Sequence, residues 1–230
     1  MSPKLIVALD FNKESDALNL IEKLNPHHCA LKVGSELFTL FGTQFVKRLI
    51  QQQYKVFLDL KFHDIPNTVA QACKAGADLG VWMMNVHAAG GISMMQAAKN
   101  AIEPYGSNRP LLIAVTVLTS FNQNELSTVG IHIPIIEQVK KLAVLAKESG
   151  LDGVVCSAQE VKVIKSICEA QFITVTPGIR LEKSSKDDQS RVMTPKQAIE
   201  EGSDYLVVGR PITQAADPEK VITEILKDFC

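Results

Sequence analysis

Eight short runs of β-prone, mostly apolar residues recur along this chain, separated by segments that include clear helical stripes. The runs are Lys4–Leu9, Cys29–Val33, Tyr54–Leu60, Val81–His87, Leu111–Val117, Gly153–Ser157, Phe172–Thr176 and Tyr205–Val208. Several are almost uniformly apolar, the pattern of parallel strands covered on both faces. Between them, Ala17, Leu20, Ile21 and Leu24 form one helical stripe. Phe38, Phe41, Phe45 and Leu49 form a second, and Val139, Leu142, Ala143 and Ala146 a third. Ser157 with Glu160, and Thr194 with Gln197, have the spacing of capping boxes. Pro195 and Pro218 stand at first-turn positions behind Thr194 and Asp217, and Gly202 is placed to end a helix. Strand then helix, eight times in 230 residues, predicts an α/β fold. The form expected is one (β/α)8 TIM barrel over residues 1–230. A doubly wound open sheet is the alternative, but it usually carries a glycine-rich first turn. Here the first strand runs into Asp10-Phe11-Asn12, with no G-x-G-x-x-G.

Charge and composition narrow the partners. A net charge of −1 and the lack of a basic run argue against nucleic acid or an anionic membrane surface. No apolar stretch approaches the length that crosses a bilayer, and a strand starting at Lys4 leaves no room for a signal peptide. Cys29, Cys73, Cys156, Cys168 and Cys230 are scattered and odd in number, so they read as reduced thiols of a cytoplasmic protein.

In a (β/α)8 barrel, chemistry sits at the C-terminal strand ends. Those ends carry Asp10, Lys32, Asp59 with Lys61, and His87, then Thr116 with Thr119. Cys156 with Ser157, Gly178 with Arg180, and Gly209 with Arg210 follow. The last two pairs resemble a phosphate site: glycines admit an anion close to backbone N–H groups, and arginine offers a forked donor. The competing reading makes them turn glycines and solvated arginines. His87, on an apolar strand, reads as a core histidine.

The third strand end is the densest in charge. Asp59 and Lys61 alternate onto one face, Pro66 prevents the strand from continuing, and Asp64 lies just past it. A lysine between two carboxylates is either a structural ion pair or a functional group. A metal held by Asp10, Asp59 and Asp64 would meet competing charge from Lys32 and Lys61, and no H-E-x-x-H or EF-hand spacing is present. A metal is therefore less necessary at this strand end.

Asp59-x-Lys61-x-x-Asp64-Ile65-Pro66-x-Thr68 resembles the signature of the orotidine 5′-phosphate decarboxylase family. The resemblance extends along nearly the whole chain. It takes in Ala8-Leu9-Asp10, Leu31-Lys32-Val33-Gly34, Asn85-Val86-His87-Ala88-Ala89-Gly90-Gly91 and Val117-Leu118-Thr119-Ser120. Thr176-Pro177-Gly178-Ile179-Arg180, Asp188-Gln189, Met193-Thr194-Pro195 and Val208-Gly209-Arg210-Pro211-Ile212 complete it. The chain is similar to the short bacterial form, without a fused transferase domain.

The resemblance implies cofactor-free conversion of orotidine 5′-phosphate to uridine 5′-phosphate. Lys61 would protonate C6 as carbon dioxide leaves, within an alternating network of Lys32, Asp59, Lys61 and Asp64. The whole stretch Asp59, Leu60, Lys61, Phe62, His63, Asp64, Ile65, Pro66, Asn67 and Thr68 would belong to the substrate site. Asp64 and Thr68 would serve the partner's site in a homodimer. Asp10 and Lys32 would hold the ribose, and Thr119 the pyrimidine. Gln189 would bridge base and phosphate, with Gly209, Arg210 and nearby Arg180 on the phosphate. Loss of carbon dioxide from C6 leaves an sp² carbanion with no adjacent carbonyl to absorb the charge, so a fixed ammonium is a fitting stabiliser.

One stretch departs from the family pattern. Leu181 to Asp188 is more charged and poorer in glycine than expected before Gln189, which bears on affinity and loop closure. The nearest rival is a magnesium-dependent sugar-phosphate decarboxylase or aldolase of the same barrel group, the 3-keto-L-gulonate 6-phosphate decarboxylases and hexulose-phosphate synthases. That group shares D-x-K-x-x-D but is expected to have an acidic residue where this chain has Lys32. A non-catalytic nucleotide-binding barrel is the second alternative.

Overall fold

The computed structural model describes residues 3–181 and 192–229. Eight parallel strands close into a barrel in sequence order, β1 pairing with β8. They are β1 (Leu5–Leu9), β2 (Cys29–Gly34), β3 (Val56–Phe62), β4 (Met83–His87), β5 (Leu111–Val115), β6 (Gly153–Val155), β7 (Ile173–Thr176) and β8 (Tyr205–Val208). The helices packed outside include α1 (Glu14–Ile21), α2 (Ser35–Gln51), α3 (Pro66–Leu79), α4 (Gly91–Ile102), α5 (Gln123–Thr128) and α6 (Ile135–Glu148). Next come α7 (Val161–Cys168), α8 (Pro195–Glu200), α9 (Arg210–Thr213) and α10 (Pro218–Lys227). All eight strands fall where the apolar runs place them, and the architecture is the (β/α)8 TIM barrel. Among the described residues no helix is long and apolar enough to cross a membrane.

Local signals explain the helix starts. Ser157 and Glu160 form a reciprocal capping box, as do Thr194 and Gln197, and the Asp217 side chain accepts from the Lys220 N–H. Each satisfies first-turn donors that no helical carbonyl can reach. The stripe on α6 is buried throughout at Val139, Leu142, Ala143 and Ala146. The stripe on α2 is not. Gly42 (φ 62°, ψ −157°) kinks that helix, so Phe45 and Leu49 are buried beyond it while Leu37 replaces Phe38 and Phe41 before it. A kink resets the helical phase, which a continuous period cannot anticipate.

Two apolar layers result. The larger lies between sheet and helices; the smaller fills the lumen with Ile6, Ala30, Phe57, Met83, Ile113, Val175 and Val207. Trp82 and Tyr205 meet edge-to-face toward its lower end, their centroids 5.3 Å apart, with the Lys55 and Lys4 ammoniums over the rings. Because inward positions recur every second residue, this lumen row continues upward into the rim. Ala30 leads to Lys32, Phe57 to Asp59 and Met83 to Asn85. Polar groups at the top thus stand on a packed, apolar floor.

Candidate active site

A cavity of about 700 Å³ opens at the C-terminal end of the barrel. Asp10, Lys32, Asp59, Lys61, Thr119, Cys156, Gly178, Arg180, Gly209 and Arg210 all line it. This gathers most of the strand-end residues picked out by the sequence. Three are used elsewhere. The Thr116 hydroxyl donates to the Val155 carbonyl at 3.0 Å, Ser157 caps its helix, and His87 packs against His63 with ring centroids 5.4 Å apart. Burial, then the neighbouring His63 and Lys61, hold the His87 imidazole below its usual value of 6.5, so it stands neutral at pH 7.

The charged groups form a chain of alternating sign. The Lys32 Nζ lies 3.2 Å from Asp10 Oδ1 and 3.3 Å from Asp59 Oδ2, and the Lys61 Nζ lies 2.8 Å from Asp59 Oδ1. Both oxygens of Asp59 therefore face an ammonium. Burial pushes the Asp59 carboxyl up, but Lys32 and Lys61, with hydrogen bonds from Lys61 and Asn85, outweigh it and hold the group below the usual carboxylate range. Burial likewise pushes Lys32 down, and Asp59 followed by Asp10 more than reverses it. Each buried ion keeps its charge because its neighbours compensate for lost water.

Lys61 reaches Asp59 by a route that regular strand alternation does not describe. Its φ is +51°, in the left-handed region that side chains other than glycine seldom occupy. Leu58 pairs with Met84 and Phe62 with Val86, so four steps along β3 oppose two along β4. The strand bulges there and extends to Phe62, past the end at Leu60 expected from the sequence. Asn85 sits inside the bulge, fully buried. Its Oδ1 accepts the Lys61 backbone N–H at 2.8 Å, and its Nδ2 donates to Asp59 Oδ1 at 2.7 Å. Sequence reasoning noted Asn85 only as part of a motif. The missed signal is an amide in mid-strand among Met83, Met84 and Val86, where an unsatisfied polar group is costly.

The second half of the 59–68 stretch is placed differently. Pro66 opens α3 at its first turn, with no β-structure between Phe62 and the helix. Asp64 Oδ1 accepts the Ile65 N–H at 2.6 Å, and among the described residues Asp64 makes no ion pair with Lys61. The expectation of a lysine between two carboxylates is thus corrected within one chain. Among the described residues Lys61 has Asp59 alone, while Asp59 stands between two lysines. His63, Asp64, Ile65, Pro66, Asn67 and Thr68 are exposed, with Ile65 67% accessible, and none of them lines this cavity. Leu60 and Phe62 are half-buried and pack against the helix-side core.

Across the mouth, β7 leads to Gly178 (φ 78°) and Arg180, whose N–H donates to the Met193 carbonyl at 3.0 Å. β8 leads to Gly209 and Arg210. Two arginines and two turn residues without Cβ face the same space, a setting suited to a phosphate. Gln189 and most of the charged segment before it lie outside the described residues.

Comparison with known proteins agrees with this geometry. Residues 3–225 match the family model described as "Orotidine 5'-phosphate decarboxylase / HUMPS family". A curated orotidine 5′-phosphate decarboxylase from Legionella pneumophila (strain Corby) is 66% identical over 229 residues, covering 100% of both chains. One from Psychromonas ingrahamii is 60% identical, covering 98% of this chain and 96% of its own. The crystal structure of orotidine 5′-phosphate decarboxylase from Lactobacillus acidophilus superposes with a TM-score of 0.88 at 44% identity, over 100% of this chain and 99% of that one. With the model matched from β1 into α10, and relatives this similar end to end, the chain belongs to the orotidine 5′-phosphate decarboxylase / HUMPS family.

Proposed function

We propose that this protein decarboxylates orotidine 5′-phosphate to uridine 5′-phosphate without a cofactor, closing the synthesis of pyrimidine nucleotides. The observation that carries the reading is the alternating chain Asp10–Lys32–Asp59–Lys61 on the wall of a nucleotide-sized cavity. As the C6–carboxylate bond breaks, its electron pair remains on C6 and carbon dioxide departs. The Lys61 ammonium, fixed by Asp59, stabilises that charge as it develops and then gives C6 a proton. Asp10 and Lys32 hold the ribose, Thr119 the base, and Gly209, Arg210 and Arg180 the phosphate. Binding energy from the remote phosphate then helps to order the reacting end.

Asp64 and Thr68, exposed on the same turn and first helical turn, complete the site of a second copy in a homodimer. The arrangement favours this enzyme over its magnesium-dependent relatives. Lys32 stands where those are expected to carry an acid, and both Asp59 oxygens already face ammoniums. A role in nucleotide synthesis fits a cytoplasmic enzyme acting on a small nucleotide rather than on nucleic acid.

Purified protein should consume orotidine 5′-phosphate, followed by its absorbance, at an undiminished rate in EDTA. Strict dependence on added magnesium would favour the sugar-phosphate chemistry. Binding of uridine 5′-phosphate without turnover would favour a non-catalytic barrel. Lys61→Ala should reduce turnover by about 10³-fold or more while product binding stays measurable; substantial residual decarboxylation would exclude Lys61 as the principal acid.

A further inference from the structure

We propose that Asn85 is a positioning residue for the decarboxylation, fixing Lys61 at both its backbone and its ammonium. This rests on the function proposed above and assigns that site a residue beyond its ionic groups. The carboxamide closes a ring. Asn85 Oδ1 accepts the Lys61 N–H, Asn85 Nδ2 donates to Asp59 Oδ1, and the same Oδ1 receives the Lys61 ammonium at 2.8 Å.

Only a side chain with a donor and an acceptor on one planar head meets both demands. Aspartate in its ionised form would oppose Asp59, and leucine would leave the part-buried Lys61 N–H without its acceptor and remove a donor to the carboxylate. The left-handed conformation of Lys61 needs such an anchor, since an unheld lysine there relaxes toward ordinary β geometry. Relaxation would restore alternation along β3 but re-aim the ammonium. Asn85 itself cannot shift, because it is fully buried in β4 between Met84 and Val86, which are likewise fully buried. The barrel wall therefore sets the position of the proton donor through one amide.

The test compares the wild type with Asn85→Ala and Asn85→Asp, measuring kcat, uridine 5′-phosphate affinity and pH profile. For Asn85→Ala, kcat should fall about 10- to 100-fold, as expected for a reacting group displaced by about an ångström. Product affinity should stay within about threefold, because Arg180, Gly209 and Arg210 lie across the mouth. Asn85→Asp retains the shape and keeps the proposal testable should the smaller variant fail to fold. Beside Asp59, two ionised carboxylates cannot be accommodated. Its kcat relative to wild type should therefore rise as pH falls from 9.5 to 5.5, when the protonated acid regains both hydrogen bonds.

A flat ratio across that range would overturn the proposal, because a merely structural amide predicts no such recovery. So would Asn85→Ala with kcat within twofold of wild type, or with kcat and product affinity lost in parallel. A crystal structure of Asn85→Ala reads the positioning without turnover. Lys61 retained at φ near +51° and still on Asp59 would overturn it too. Wild-type protein without decarboxylase activity would defeat the function itself. An active wild type with indifferent Asn85 variants would defeat this inference alone.

Discussion

Replacing Asp59 by asparagine keeps the shape of the side chain and removes one charge from the centre of the ionic chain. Lys32 feels the change most. Its side chain is 11% exposed, as is that of Asp59, and its other carboxylate, Asp10, is 66% exposed. The gross attraction across 3.3 Å is about 5 kcal/mol at an effective dielectric constant near 20. Breaking a buried pair by removing one partner typically costs roughly 3–5 kcal/mol. Asp10 continues to compensate Lys32, and water reaches the more exposed Lys61, so the expected loss at pH 7 is about 2–4 kcal/mol. For a chain of this size that lowers the melting temperature by roughly 5–12 °C.

The pH dependence identifies the charge as the cause. The folded Asp59 sits below its ordinary 3.8, so its contribution is full above that value and disappears as pH falls through the folded pKa. Lys32 sits above its ordinary 10.5, so its contribution is full below that value and is lost as pH rises through the folded pKa. The gap between the two proteins should therefore be widest near neutrality and narrow as pH falls below 3.8 or rises above 10.5. Urea unfolding followed by circular dichroism at several pH values measures this. A gap below about 0.5 kcal/mol at pH 7, or one constant across the range, would refute the network as a source of stability.

Two further perturbations probe different parts of the molecule. Mixing inactive Lys61→Ala and Asp64→Ala subunits should restore activity, because one of the two sites in a mixed dimer regains both groups; no recovery once subunit exchange is demonstrated would make each site self-contained. Gly153→Ala in β6 should lower the melting temperature by several degrees or prevent folding, since its Cβ would fall 2.1 Å from the Ile173 carbonyl oxygen and overpacking costs about 1–3 kcal/mol or more. An unchanged thermal transition would show that β7 yields at no cost.

The alternation of apolar strand and amphipathic helix, with its proline and capping signals, was legible because it depends on neighbours a few residues apart. It was enough to specify eight strands, their parallel arrangement, and therefore a rim where Asp10, Lys32, Asp59, Lys61, Arg180 and Arg210 converge. Closure of the barrel makes that convergence almost independent of side-chain detail. The same local rules failed where long-range pairing decides. The Gly42 kink resets the phase of α2, and the pairing of β3 with β4 forces two extra residues into the third strand.

The ten residues 59–68 show the division most clearly. Their composition declared a charged motif, and alternation put Asp59 and Lys61 on one face, although the contact between them is made through the bulge rather than by regular alternation. Only the tertiary structure revealed that Lys61 arrives through a left-handed bulge braced by Asn85. The physical reason is the range of the interaction. A residue type and its spacing travel with the chain, whereas the partner of a buried donor is set by whichever strand closes beside it. Which lysine a carboxylate holds was therefore a matter for the barrel, not for the motif.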